Sequence, residues 1–201
     1  MTEFSPPLVA DTSTVINLIA TGCAPAIIRA LPDRLVAVDI VAAEIELGRA
    51  RGRKDADRLK ELAAAGFVEI AALSEVGLRH FEELVIGPAA STLDDSEAAT
   101  IAYAVQEAGS ALIDERKAVR IGAERFPKLG IASTVDILFH PGVREGIGAE
   151  TLARAVWNAL QVGRMSVLPH QVGLVVQLIG LERAAECQSL PRAARPAQSQ
   201  P

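Results

Sequence analysis

Short apolar runs alternate with helix-forming stretches along most of this chain. Five of the runs have the length and the apolar or β-branched content of strands: LVA, LVAVDIV, FVEIAAL, SALI and LGIAS. The stretches between them are rich in Ala, Leu, Glu, Lys and Arg, which favour helix. Strands that alternate with helices build a parallel sheet, because each crossover needs a connection of helix length. We therefore predict an α/β fold of three α/β/α layers around a central parallel sheet.

Capping and turn residues divide the intervening stretches into helices. Asp11 and the three hydroxyl residues after it cap a helix that Gly22 closes. A further helix is predicted from about Asp94 to Glu107, after Ser91 and Thr92. The stretch AAEIELGRARGRKDADRLKELAAAG is predicted to be helical with a break near its internal glycines.

The character of the chain changes beyond about residue 140. Two apolar-faced helices are predicted there, in GAETLARAVWNALQVG and VLPHQVGLVVQLIGLERAAE, and the final LPRAARPAQSQP has the composition of a disordered tail. We predict a main domain over 1–140, a helical extension over 141–187 and a disordered tail over 188–201. The apolar faces of the extension should pack against the main domain or against a second subunit, which makes a homodimer the expected assembly.

The net charge of -5 leaves no global basic field that could attract a polyanion. Contact with nucleic acid would therefore depend on a local patch. Two basic runs are candidates: Arg49, Arg51, Arg53 and Lys54, and Arg116, Lys117, Arg120, Arg125 and Lys128. The first run is better explained as a solvated helix face, whereas for the second, which adjoins an acidic cluster, the two explanations are equal. Aromatic residues make up 3% of the chain, which argues against a base-stacking platform.

Nothing in the sequence predicts secretion or membrane insertion. The N-terminal MTEFSPP lacks the basic flank and apolar core of a signal peptide, and no apolar stretch is long enough to cross a bilayer. Cys23 and Cys187 have no CxxC spacing and are predicted to be reduced thiols. We expect a cytoplasmic protein with no membrane partner.

Acidic residues occur where the apolar runs break off. Asp11 follows LVA and Asp114 follows SALI, while Glu44 and Glu97 lie near the starts of helices that could overhang the same edge of the sheet. Ligand sites of open parallel sheets form beyond the carboxyl ends of the strands. Carboxylates gathered there repel each other unless a divalent cation neutralises them, and Mg²⁺ is the natural oxygen-bound partner.

Each acid also has a purely structural explanation. Asp11 could serve only as a helix N-cap, and Asp94 is well explained as a cap. Glu44 could be an exposed helical acid paired with Arg49, and Glu97 could be the same on the next helix. The joint pattern is what indicates a metal-binding crevice.

Carboxylates that hold one or two Mg²⁺ or Mn²⁺ ions suit hydrolysis of phosphodiester bonds, because the cation activates water and stabilises charge on the phosphate. Asp11, Glu97 and Asp114 could be direct or water-mediated ligands, with Glu44 completing the shell. The hydroxyl groups and cations that could contact a ligand or an RNA backbone are those of Thr12, Ser13, Arg116 and Lys117.

Four segments, in order, resemble the PIN domain, over about residues 8 to 140: VADTSTVINLI, IVAAEIELG, LDDSEAATIAYA and LIDERKAVRIGAERFPKLGIAS. The chain is most similar to the group related to VapC-type toxins. The resemblance implies a compact α/β/α domain with an Mg²⁺- or Mn²⁺-dependent ribonuclease site, acting on RNA, and a role as a toxin opposed by an antitoxin protein.

Carried over position by position, the resemblance assigns the site residues. The catalytic acids are Asp11, Glu44, Glu97 and Asp114, and the metal ligands are Asp11, Glu97, Asp114 and Glu115. The small polar position after the first acid falls at Ser13 or Thr12. Asn17 matches a position that is often polar, so it either orients a carboxylate or is a plain helix-surface Asn.

Two departures from the family pattern leave questions open. Asp114 and Glu115 adjoin and compete for the last acidic position, and Ala132 stands where such proteins commonly carry a glycine or a hydroxyl residue. An alternative function is a PIN-like module that no longer cuts and serves in RNA binding or protein assembly. A third is a phosphatase with an aspartyl nucleophile, since DTST resembles DxDxT, but Ser13 occupies the place of the second Asp.

Overall fold

Residues 4–50 and 52–194 are described by a computed structural model of the chain. Five parallel strands form one sheet in the order β3-β2-β1-β4-β5. The strands are β1 (Leu8–Ala10), β2 (Leu35–Val38), β3 (Val68–Ala71), β4 (Ser110–Leu112) and β5 (Gly130–Ala132). Helices flank the sheet, so the predicted three-layer α/β/α fold with a C-terminal helical region is confirmed.

The described chain also contains twelve α-helices. They are α1 (Thr12–Ala20), α2 (Ala24–Arg29), α3 (Asp39–Arg49), α4 (Asp55–Ala64), α5 (Glu75–Val85), α6 (Asp95–Gln106), α7 (Arg116–Arg125), α8 (Thr134–Leu138), α9 (Pro141–Ile147), α10 (Ala149–Asn158), α11 (Val172–Ile179) and α12 (Leu181–Glu186). Within the described ranges, none of these helices has the length and apolarity required to span a lipid bilayer.

The central strand β1 lies between β2 and β4 and is buried on both faces. All three of its residues are fully buried, as are those of β4, which fits a sheet covered by helices on both sides. In the register of this pair Ala10 stands opposite Leu112, and the Asp11 amide donates to the Leu112 carbonyl at 3.2 Å. The chain segments that follow β1 and β4 therefore leave the sheet at the same edge.

The predicted second strand, LVAVDIV, ends earlier than expected. The strand stops at Val38, and Asp39 begins α3. Asp39 lies in the first helical turn, where a carboxylate is stabilised by the helix dipole. Val41 and Ile45 are both buried and stand four residues apart, on one helix face. The prediction of Ile40-Val41 as strand was therefore wrong. A short apolar run is compatible with both the two-residue period of a strand and the 3.6-residue period of a helix.

The predicted extension contains more segments than two helices. The first predicted helix is α10 followed by a π-helical turn at Ala159–Gly163, and the second is divided into a 3-10 turn at Pro169–Gln171, α11 and α12. Gly180, with φ at 85°, separates α11 from α12.

The helices after residue 140 pack into the same hydrophobic core as the sheet. Leu152, Val156 and Val175 belong to the same cluster of buried apolar side chains as Leu8 and Leu112. The predicted packing of the extension against the main domain is therefore present. Residues 188–194 of the predicted tail include the buried Leu190 and a 3-10 turn at Arg192–Ala194, and residues 195–201 lie outside the described residues.

The π-helical turn approaches α1 very closely at Gly163. A Cβ atom at this position would lie 2.6 Å from Oδ1 of Asn17 and 3.2 Å from Cβ of Ala20. We expect Gly163→Ala to lower the free energy of unfolding by about 1–3 kcal/mol, because the turn and α1 must separate to admit the methyl group. Thermal denaturation should show a fall in Tm of several degrees.

Gly173 in α11 is the matched control for that substitution. A Cβ there would have no atom within 4 Å, and its backbone is helical. Gly173→Ala should leave Tm unchanged or raise it, since Ala is the better helix former. Equal Tm values for the two alanine variants would show that the contact between the turn and α1 does not limit stability.

Candidate functional site

The carboxyl edge of the sheet opens into a cavity of about 520 Å³. The cavity lies between the starts of α1, α6 and α7, the middle of α3 and the chain after the π-helical turn. Six carboxylates line it: Asp11, Glu44, Asp94, Glu97, Asp114 and Glu115. The structure thus brings together every acid that the sequence predicted for the site.

Asp11 is buried at the junction of β1 and α1. Its Oδ1 atom accepts from the Thr14 amide at 2.7 Å, and the Ser13 hydroxyl donates to both carboxylate oxygens at 2.9–3.0 Å. Burial and, to a smaller extent, the charge of Asp114 raise the pKa of Asp11 to about 7, although the hydrogen bonds from Thr14 and Ser13 lower it. Asp11 is therefore both the N-cap of α1 and a cavity acid that readily holds a proton.

Asp114 is also buried and is held by three donors. The Thr134 amide donates to Oδ1 at 2.7 Å, and the Thr134 hydroxyl and the Asn17 amide group donate to Oδ2 at 2.6 Å and 2.9 Å. Burial nevertheless raises the pKa of Asp114. Asn17 is itself 2% exposed, so its interpretation as a plain surface residue is wrong.

Glu115 follows directly but has a different role in the fold. It is exposed, and its Oε2 atom accepts from the Ala118 amide at 2.8 Å, which caps α7. No described residue donates a hydrogen bond to Oε1. Asp114 and Glu115 therefore differ in what they offer a ligand: Asp114 has most of its lone pairs occupied, whereas Glu115 has one whole oxygen available.

Glu97 and Glu44 extend from two helices over the same edge. Glu97 is half-buried in the first turn of α6, and burial together with the charges of Glu115, Asp94 and Asp11 raises its pKa to about 7. Glu44 accepts from the Thr12 hydroxyl at 2.7 Å. The alternative that pairs Glu44 with Arg49 is wrong, because Arg49 contacts Glu46 and Asp57 instead.

The six cavity acids form no ion pair within the described chain. Asp94 occupies the N-cap position of α6, yet its side chain makes no capping hydrogen bond. Three arginines also line the cavity, but six acids outnumber them, and the excess negative charge favours proton uptake or a cation from solution.

The donor set fits a hydrated divalent cation. In the described part of the chain, no three His, Cys, Asp or Glu side chains are arranged to hold one metal ion together. Mg²⁺ does not require such a cage, since it keeps several waters and is commonly bound through one or two carboxylates. Carboxylates that form no ion pair with a described basic residue match that mode of binding.

Comparison with known protein families identifies the family of the chain. The family model DUF3368, described as a PIN domain, matches residues 7–179. The chain belongs to the PIN domain family. PIN domains are generally nucleases and typically use divalent metal ions, so the fold is nuclease-like. No curated protein and no solved structure matched the chain.

The family match extends past the predicted boundary at residue 140 and ends with α11. It therefore includes the π-helical turn, which reaches the cavity of this PIN domain through Gly163, Arg164 and Ser166. Sequence reasoning missed these residues because no acidic motif or turn signal near them points to the distant site.

Thr134 was also missed, although a signal for it existed. The family pattern draws attention to Ala132 at the end of β5, whereas the hydroxyl residue two positions later follows the strand that neighbours β4. The same positional rule that selected Asp11 and Asp114 applies to Thr134. The site thus draws on the ends of β1, β4 and β5.

Only some of the basic residues predicted to contact nucleic acid lie at the cavity. Arg53 and Arg116 line the cavity, and Lys117 does not. Arg53 also pairs with Asp55 at 2.7 Å, while Arg51 lies outside the described residues. Arg116 is exposed at the start of α7 and has no ion pair in the described chain. Arg116 is therefore the better placed of the two cations predicted to contact a substrate.

Proposed function

We propose that this PIN domain is a Mg²⁺- or Mn²⁺-dependent ribonuclease that hydrolyses phosphodiester bonds of RNA. The observation that supports it best is the set of six carboxylates in one cavity at the carboxyl edge of the sheet, with no ion pair to any described cation. Six acids that line one cavity, two of them buried, repel each other unless protons or a cation neutralise them.

The proposed metal ligands are Asp11, Glu97, Asp114 and Glu115, directly or through water, with Glu44 completing the shell. Asp11 and Glu97 share the raised pKa that mutual repulsion and burial produce. Asp114 has little remaining lone-pair capacity and suits a water-mediated contact, whereas the free oxygen of Glu115 suits a direct one. The cation, when bound, supplies charge stabilisation at the phosphate and a more acidic water.

The neighbouring polar groups position these acids. Ser13 donates to Asp11, Thr12 donates to Glu44, and Asn17 donates to Asp114. Such contacts fix the orientation of a carboxylate and favour its charged form. The exposed guanidinium of Arg116 is proposed to bind the RNA backbone, because arginine matches the geometry of a phosphate.

Cleavage of a labelled single-stranded RNA tests the proposal. The purified protein should cut the RNA when Mg²⁺ or Mn²⁺ is added, should stop when EDTA is added in excess, and should resume when the metal is restored. Cleavage that continues in EDTA would exclude the metal-dependent mechanism. Manganese binding by calorimetry without any cleavage would favour the alternative of a non-cutting RNA-binding module.

A toxin role with an antitoxin partner, and a homodimer, remain predictions. Exposed apolar side chains support a protein contact: Leu47 is 74% exposed and Ile86 72% exposed. A surface groove beside Leu47 also contains Glu44 and Asp94, so that a partner bound there would lie next to the acidic cavity. Solution scattering tests the homodimer, and a monomeric mass would exclude it.

A further inference from the structure

Arg164 lines the acidic cavity but comes from a part of the chain far from the acidic motifs. It follows the π-helical turn at Ala159–Gly163 and shares the cavity with Asp11 and Glu97. Its side chain is exposed and forms no ion pair with a carboxylate of the described residues. An unpaired guanidinium beside six acids is available to an anionic ligand.

The backbone of Arg164 is held in an unusual conformation. Its φ of 56° and ψ of 37° lie in the left-handed region, which residues with a Cβ seldom adopt. The next residue, Met165, is fully buried, and its amide donates to the Ala159 carbonyl at 3.0 Å. Strained residues and π-helical turns both occur preferentially at functional sites.

The turn before Arg164 is fixed against the same residue that positions Asp114. Gly163 lies so close to Asn17 that a Cβ there would be 2.6 Å from Oδ1 of Asn17. The other end of that side chain donates to Asp114 at 2.9 Å. Packing therefore sets the place of Arg164 relative to the acids of the site.

The cavity offers two free cations on different elements. Of the described cations that line it, Arg53 pairs with Asp55, which leaves Arg116 on α7 and Arg164 on the extension. A cavity of about 520 Å³ has the size of a small-ligand site and admits one or two nucleotides of a single strand, not a duplex. An RNA strand that places one phosphate among the acids needs cations for the phosphates beside it.

We propose that Arg164 forms a phosphate subsite through which the C-terminal extension binds single-stranded RNA next to the cleaved bond. The guanidinium donates to a phosphate that flanks the scissile one, and the strand crosses the cavity between Arg116 and Arg164. This inference rests on the proposed ribonuclease function and adds to it a path for the strand across the cavity and a residue of the extension that holds it.

Binding of a fluorescent single-stranded RNA octamer, measured by anisotropy with Mg²⁺ present, tests the subsite. The protein carries Asp11→Asn so that the RNA stays intact, and Arg164→Gly and Arg164→Lys are compared on that background. Arg164→Gly should weaken binding about tenfold and reduce the salt dependence of log K by roughly 0.7, and Arg164→Lys should lose less. The Tm of Arg164→Gly should be unchanged or higher, because Gly adopts the left-handed region without strain.

Arg154→Ala is the matched control. Arg154 is an exposed arginine of α10 on the same extension, has no ion pair in the described chain and does not line the cavity. Its removal changes the net charge by the same amount and should leave RNA binding within about twofold.

Four results would overturn the subsite. RNA binding by Arg164→Gly equal to that of Arg154→Ala would remove it, and a lower Tm with proportional loss of binding would assign Arg164 a structural role. In the wild-type background, cleavage with unchanged KM in Arg164→Gly would overturn the subsite alone. No RNA binding and no cleavage by the unsubstituted protein would overturn the proposed function and the subsite together.

Discussion

Replacing Asp11 by Asn is expected to lower RNA cleavage by at least about 100-fold, since even groups one step removed from a metal change affinity or activity by 10–100-fold. Asn keeps an oxygen that can accept from the Thr14 amide, so the cap of α1 survives. It loses the negative charge that the proposed cation needs. Single-turnover cleavage of a labelled RNA, with the variant at excess over substrate, measures the loss.

The same substitution should stabilise the metal-free protein. A buried Asp11 with a pKa of about 7 is largely charged at pH 8, beside the charge of Asp114. Removal of that charge relieves desolvation and repulsion, so Tm at pH 8 should rise by a few degrees. A fall in Tm together with lost activity would instead mean that Asp11 is needed to hold the fold.

Asp95→Asn is the control for this change. Asp95 lies in the first turn of α6, is exposed and does not line the acidic cavity. Its substitution removes the same charge a short distance from the site and should leave cleavage within about twofold. A comparable loss of activity in both variants would indicate a general electrostatic effect and would contradict the role of Asp11.

The sequence predicts those parts of the fold that depend on the local pattern of apolar residues and on the rules of parallel-sheet topology. Short apolar runs gave the five strands, and the rule that parallel strands end at one edge placed Asp11 and Asp114 together before any distance was known. Glu44 and Glu97 were placed more loosely, since their positions depend on where helices begin. Because α3 begins at Asp39, Glu44 lies in the middle of that helix and not near its start as predicted.

The remaining parts depend on packing between distant segments. Thr134 contacts Asp114 only because β5 lies beside β4, and Arg164 reaches the cavity only because Gly163 lets a π-helical turn approach Asn17. A π-helical turn has no sequence signature comparable to a capping box. Site residues such as Thr134 and Arg164 can be identified from the three-dimensional contacts, but not from their spacing along the chain.

The pH dependence of metal binding should be steep. Asp11 and Glu97 both have a pKa of about 7, and both must lose a proton before they can bind a cation. At pH 6 each is mostly protonated and at pH 8 each is mostly charged, so Mn²⁺ should bind about 100-fold more weakly at pH 6 than at pH 8. Isothermal titration at both pH values measures this ratio, and Asp11→Asn should reduce it to about tenfold because one titrating group is gone.

The stability of the metal-free protein should change with pH in the opposite direction. The folded-state pKa values of Asp11 and Glu97 lie above those of the unfolded chain, so the folded state binds more protons between about pH 4 and pH 7. The stabilisation is fully present below the unfolded pKa near 4 and is lost as the pH rises through 7. Without metal, the contribution of these two acids should therefore give a higher Tm at pH 5.5 than at pH 8.

Added Mn²⁺ should reverse that order, because a cation that binds only the folded state raises Tm at pH 8 and has little effect at pH 5.5. The difference between Tm values with and without metal isolates the site from other titrating groups, since those contribute equally to both measurements. A metal-induced rise in Tm of the same size at both pH values would show that the bound cation does not displace protons from Asp11 and Glu97. Asp11 and Glu97 would then not be its ligands.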